Sequence, residues 1–216
     1  MYVPATPVQP APALAPVGVV SAAAPTMVLA PLATTLRVHD EQLNVLESHN
    51  STIAGTLLEA RHPGLPDRVI ALQALVGRGW KTIASARTRK HGRFRISFTP
   101  HRLGSRLLRL RFTGDATASA TRLRLGRLNV YRLAVASWYG GGGGTACGEQ
   151  LTSSTLGVAN KTLPCGTMVT LRYDGHTVRV PVIDRGPYVE GREFDLTEAT
   201  KRALGFGDTG SVWSTD

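Results

Sequence analysis

Along the middle of the chain, apolar and basic side chains alternate. Phe94, Ile96 and Phe98 are interleaved with Arg93, Arg95 and Ser97, and Leu108, Leu110 and Phe112 with Arg109 and Arg111. A period of two puts the apolar set on one face of a strand and the arginines on the other. Similar short runs fall at 51–60, 68–75, 81–86, 92–99, 106–114 and 124–131. Turn residues separate them, at Pro63-Gly64, Gly77-Arg78-Gly79, Lys90-His91-Gly92 and Thr113-Gly114-Asp115.

About six or seven strands at this spacing predict an immunoglobulin-like β-sandwich over residues 37–132. Trp80 is expected in its core or at its edge rather than as a ligand platform. The same segment loosely resembles the Ig-like modules of bacterial surface proteins, through Gly79-Trp80, then Thr88, Gly92 and Phe94, then Phe112-Thr113-Gly114-Asp115. That resemblance implies fold, not chemistry.

The pattern changes after residue 132. Val178, Val180 and Val182 alternate with Arg179 and Pro181, and the stretch 168–173 faces 177–183 across Asp174-Gly175, a hairpin signal. One helix is predicted over 196–204, opened by Asp195 and Glu198 in a capping-box arrangement and stopped by Gly205. The glycine run 140–144 reads as a flexible loop; it lacks the Lys-Ser/Thr of a phosphate loop. Residues 1–36 are rich in Pro and Ala and read as a disordered spacer. The spacer's mildly apolar part, 13–33, is broken by Pro16, Pro25 and Pro31.

The formal charge of +10 is unevenly placed. Residues 37–132 carry 18 Lys/Arg against 6 Asp/Glu, and residues 133–216 carry 7 against 9. A basic field of this kind favours anionic partners, anionic wall polymers among them. Nucleic acid is not expected, because the arginines alternate along strands and few aromatics accompany them. No apolar run approaches the about 20 residues that span a bilayer.

Cys147 and Cys165, 18 apart, suit a disulfide, with two buried thiols as the alternative. A disulfide implies an oxidising compartment, hence an extracellular or wall-associated protein. Residues 1–36 hold no Lys or Arg, so the basic start of a secretory leader is missing there, and no lipobox cysteine is present. Neither metal nor cofactor is called for by any Cys/His cluster.

The richest chemistry lies near the end of the strand at 177–183. Asp184-Arg185-Gly186-Pro187-Tyr188 closes that strand in an abrupt turn, and eleven residues on comes Phe194-Asp195-Leu196-Thr197. Together with Ala136-Ser137-Trp138-Tyr139-Gly140, Cys147-Gly148-Glu149 and Asn160-Lys161-Thr162-Leu163-Pro164-Cys165-Gly166-Thr167, these motifs resemble the RlpA-like double-psi β-barrel family. Five motifs in order cover about 80 residues, 133–216.

The resemblance implies a six-stranded closed barrel with one short helix. It also implies an activity on peptidoglycan glycan strands, as a lytic transglycosylase that leaves 1,6-anhydro ends. Asp184, Asp195 and Glu149 then stand where catalytic carboxylates are expected. Asn160, Tyr139, Arg185 and Tyr188 stand where glycan would be bound.

Two positions depart from the family's pattern: Thr152 replaces an aspartate and Asn160 a histidine. Asn keeps hydrogen bonding but does not titrate. A non-catalytic, expansin-like glycan-binding or wall-loosening module is therefore the alternative reading.

Overall fold

The computed structural model describes residues 1–2, 30–60 and 64–216. The spacer expected over 1–36 lies outside the described residues except at its two ends. Its boundary moves, because Leu32 already bridges to Ala118 and a strand begins at Thr34.

The chain forms β1 (Thr34–Glu41), β2 (Asn44–Leu46), β3 (Ser51–Glu59), β4 (Val69–Val76), β5 (Gly79–Arg87), β6 (Arg93–Phe98), β7 (Gly104–Phe112) and β8 (Thr121–Tyr139). There follow β9 (Gly143–Gly144), β10 (Gln150–Leu151), β11 (Val158–Ala159), β12 (Met168–Tyr173), β13 (His176–Asp184) and β14 (Phe194–Thr197). Helix α1 (Glu198–Leu204) and β15 (Thr209–Ser214) complete the chain.

The basic segment folds into two sheets around one core. One sheet is antiparallel β1-β3-β6; the other runs β5-β4-β7-β8, with β2 added in parallel to β8. Ile53, Leu57, Ile70, Leu72, Ile96, Leu108 and Leu110 are buried between them, as their period-two spacing predicts. The alternating Arg93, Arg95 and Arg111 face solvent. Trp80 sits on β5, at the edge of its sheet.

The expected domain boundary at 132/133 falls inside β8. Residues 121–130 of β8 pair with β7, whereas residues 132–139 pair with β15 and β14. One 19-residue strand thus serves both sheet systems.

The second system is a closed six-stranded barrel. The order β14-β11-β13-β12-β15-β8 is closed by a further β14–β8 pairing. Two of its contacts are parallel, β11–β13 and β14–β8. Val169, Leu171, Val180, Val182, Phe194, Leu196, Leu204 and Val212 fill it. Closure removes the unpaired edges that would otherwise attract another chain. The β12–β13 hairpin turns at Asp174 and Gly175, both at positive φ, as a two-residue primed turn requires.

The helix starts two residues later than its sequence suggests. Its N-cap is Thr197, whose hydroxyl accepts from Thr200 N at 3.3 Å, and not Asp195. Asp195 instead lies inside β14, where strand pairing with Ala159 and Ser137 fixes it. Gly205, at φ 63°, supplies the expected left-handed stop. Gly157 packs against this helix entry, and a Cβ there would come within 2.5 Å of Ile183. Of the glycine run 140–144, Gly143 and Gly144 form a short ladder with β10 rather than a plain loop.

Candidate active site

The site begins from strand pairing. Ala159 on β11 is the ladder partner of Asp184 on β13 and of Asp195 on β14. Asp195 is in turn the partner of Ser137 on β8. Adjacent strands lie about 4.8 Å apart, so the two aspartate Cα atoms are separated by roughly 10 Å across one intervening strand. Three strands from separate parts of the sequence therefore deliver both carboxylates to one region of the barrel.

Each carboxylate is held through one oxygen. Asp184 Oδ1 accepts from Ala146 N at 2.9 Å and from Arg185 N at 2.8 Å. Asp195 Oδ1 accepts from the buried Ser137 hydroxyl in a close contact. Among the described residues, Oδ2 of each aspartate is engaged in no hydrogen bond or ion pair. Both residues are half-buried.

Tyr139 lies on β8 two residues beyond Ser137, the ladder partner of Asp195. Its hydroxyl is buried and its pKa is raised above the ordinary tyrosine value, first by burial and then by Asp184 and Asp195. The Tyr139 hydroxyl therefore lies in the field of both carboxylates. It is near enough to Asp184 for hydrogen bonding to contribute to the shift, yet no bond of regular geometry joins them.

The loop 145–149 is docked on the end of β13. Cys147 N donates to Ile183 O at 3.2 Å, beside the Ala146 bond to Asp184. The Cys147–Cys165 disulfide joins this loop to the one after β11. Glu149 lies on it, exposed, with its carboxylate in no hydrogen bond or ion pair among the described residues. It shares the loop that Asp184 organises without touching either aspartate. Thr152, where the family pattern has an aspartate, caps a local turn through Thr155 and Ser154.

Asn160 and Arg185 are turned inward. Asn160 Nδ2 donates to Glu193 O at 3.0 Å, and its Oδ1 accepts from Thr162 N at 3.0 Å and Leu163 N at 2.8 Å. Arg185 Nη1 donates to Asn160 O and Leu163 O, and Nη2 to Cys165 Sγ. These bonds make both residues braces of the loop 160–165 beside the aspartates. Tyr188 is 84% exposed in the following turn and free to meet a ligand.

Trp138 points elsewhere. Its Nε1 donates to Asp208, and Lys201 Nζ stands 3.8 Å from its ring centroid. Ser137 is a site residue that the motifs alone do not mark. Its signal was a hydroxyl between the apolar Ala136 and Trp138 on a strand, a polar group that needs a partner when buried.

Comparisons with known proteins bear on the barrel segment. Residues 133–213 match the family model described as "Lytic transglycolase". The chain is 39% identical over 103 residues to the probable endolytic peptidoglycan transglycosylase RlpA of Synechocystis sp., covering 45% of this chain and 30% of that protein. It is 43% identical over 75 residues to the protein of the same description in Aquifex aeolicus, covering 32% and 33%. It is 39% identical over 89 residues to the endolytic peptidoglycan transglycosylase RlpA of Pseudomonas aeruginosa, covering 38% and 26%. The matched segments thus span a third or less of these relatives' lengths. A closed six-stranded barrel, two carboxylates gathered across Ala159 and these matches lead to one assignment: the C-terminal part of the chain belongs to the RlpA-like double-psi β-barrel family.

Proposed function

We propose that this chain is a bacterial envelope protein that cleaves peptidoglycan glycan strands as an endolytic lytic transglycosylase. The observation that carries the reading is the placement of Asp184 and Asp195 on either side of Ala159, each carboxylate keeping one oxygen unengaged. The names of the relatives point the same way.

Breaking a glycosidic bond requires a proton on the leaving oxygen as the anomeric carbon–oxygen bond opens. A carboxylic acid at Asp184 or Asp195 donates it from the free Oδ2. The 6-hydroxyl of the same sugar attacks the anomeric carbon, and a carboxylate takes up its proton. The product ends in a 1,6-anhydro sugar and no water is consumed. Confining proton traffic to positioned carboxylates is worth about 10²–10⁴ in rate. Tyr139, on the neighbouring strand β8, is suited to hydrogen bond the sugar. Glu149 and Tyr188 would line the approach, and Asn160 and Arg185 would hold the wall behind.

In this reading residues 37–132 form an Ig-like sandwich that keeps the barrel at the wall through its arginines, and residues 133–216 form the working barrel. Export is consistent with the disulfide. Among the described residues no helix is long and apolar enough to cross a membrane.

The test is release of soluble fragments from purified glycan strands stripped of stem peptides, comparing wild type with Asp184→Asn and Asp195→Asn. Loss of release in either variant, with glycan still co-sedimenting, supports the proposal. Sedimentation without release by the wild type would instead identify an expansin-like binding module.

A further inference from the structure

Four arginines stand in register on one sheet of the basic module. Across β7 and β8, Arg109 is the ladder partner of Arg124 and Arg111 the partner of Arg122. Directly opposed residues hold their Cβ atoms about 4.5–5.5 Å apart, and like charges there are destabilising. Two residues along a strand span about 6.7 Å, so the four make a ladder two charges wide and two long.

Among the described residues no carboxylate pairs with them. The ion pairs among the described residues are Arg68–Asp115, Arg132–Glu193, Lys201–Asp208 and Arg202–Glu198, and none involves the ladder. Segments 3–29 and 61–63 contain no Asp or Glu. Arg109 feels the crowding: its pKa is lowered by burial first, then by Arg111, Arg122 and Arg124.

The ladder is also partly built in advance. Arg109 Nε donates to Gln73 Oε1 at 2.8 Å, and the nearly buried Gln73 donates to Thr82 Oγ1 at 3.2 Å. The Arg109 guanidinium lies 4.2 Å from the Trp80 ring centroid. Arg111, Arg122 and Arg124 are exposed. A shallow cavity of about 490 Å³ opens between Arg109, Arg111, Thr121 and Arg122.

We propose that this arginine ladder is a docking site for a linear polyol-phosphate polymer, whose successive phosphodiesters lie along β7 and β8. Guanidinium groups take phosphate oxygens in pairs, and rows of charge suit a ligand in which the anion recurs. Non-specific binding of single-stranded nucleic acid calls for aromatic faces on which bases stack. Trp80, the aromatic beside the ladder, already carries Arg109 on its ring. The site gives the wall-holding role of the basic module a ligand class and a location. It rests on that reading and not on cleavage by the barrel.

The experiment is calorimetric titration of the whole chain with a defined oligo(glycerol phosphate). Wild type is compared with Arg111→Gln/Arg122→Gln and with Arg93→Gln/Arg95→Gln, an equal charge loss on the other sheet. The ladder variant should bind about tenfold more weakly or worse and lose part of the salt dependence, while the control stays within about twofold. Its thermal midpoint should equal or exceed that of wild type, because a like-charge pair has been removed. Equal weakening of both variants, no binding by wild type at low salt, or tighter binding of a single-stranded oligonucleotide of the same charge would overturn the proposal. A lowered midpoint would contradict the uncompensated repulsion on which it rests.

Discussion

Asp184 and Asp195 occupy the two ladder positions on either side of Ala159. Ten residues of chain lie between them, including the exposed Tyr188 turn, yet only the short β11 lies between their strands. The barrel's mixed pairing produces this, because β11 runs parallel to β13 and antiparallel to β14.

Ser137 orients Asp195, so removing its hydroxyl should act on turnover more than on binding. Ser137→Ala should lower kcat about tenfold with KM little changed. It should also cost about 1 kcal/mol of stability, as a lost hydrogen bond does. Steady-state kinetics and denaturant titration check both. Unaltered kcat would remove Asp195 from the chemistry.

Tyr139→Phe separates function from stability. The hydroxyl is buried without a partner, so its removal should leave the thermal midpoint unchanged or higher, while glycan cleavage falls. The pH dependence has a definite sign. The folded-state pKa is raised, so the unfolded chain releases this proton first, from about pH 10 upward. Stability is fully present below that point and declines as pH rises beyond it. Wild type should therefore lose more stability than Tyr139→Phe between pH 9 and the alkaline limit. Parallel curves for the two proteins would refute the placement of this hydroxyl.

Asp115 should behave in the opposite sense. Its carboxylate accepts from Thr117 N, Thr117 Oγ1 and Ala118 N and pairs with Arg68. Bonds from Thr117 foremost lower its pKa to about 2. The stability it contributes is present above about pH 4 and lost as pH falls toward 2. Asp115→Asn should cost about 1 kcal/mol at neutral pH, discounted for exposure, and should flatten the acid limb of the stability curve. Thermal melts across that range provide the measurement.

Reduction of Cys147–Cys165 should loosen both loops beside Asp184. The chain-entropy estimate for a loop of this size is about 3 kcal/mol. Reductant should lower the thermal midpoint and should also weaken glycan cleavage, since Ala146 N then holds Asp184 less firmly. Full activity in the reduced protein would confine the disulfide to stability.

The sequence made the strands legible wherever one face is buried. The alternation at 92–99 and 106–114 became β6 and β7 nearly residue for residue, because burying one face fixes the register. Asp174-Gly175 announced its hairpin through local turn chemistry. The ends of the elements were harder to read. Asp195 resembled a helix cap because local spacing cannot reveal that β11 and β8 would claim it for a barrel. The length of β8 was hidden for the same reason, since its two halves serve different partners. Motif order singles out Asp184 and Asp195 as candidate carboxylates, and the strand pairing across Ala159 is what the motifs do not show. The inward bonding of Asn160 and Arg185 was not legible, because both look like ligand-facing groups until the loop they brace is folded.

The most direct measurement is the mass of the new chain ends made from naked glycan strands. The account predicts fragments ending in a 1,6-anhydro sugar, one water lighter than a hydrolysis product, in wild type and absent from Asp184→Asn. Reducing ends carrying the added water, or anhydro ends undiminished in Asp184→Asn, would contradict it.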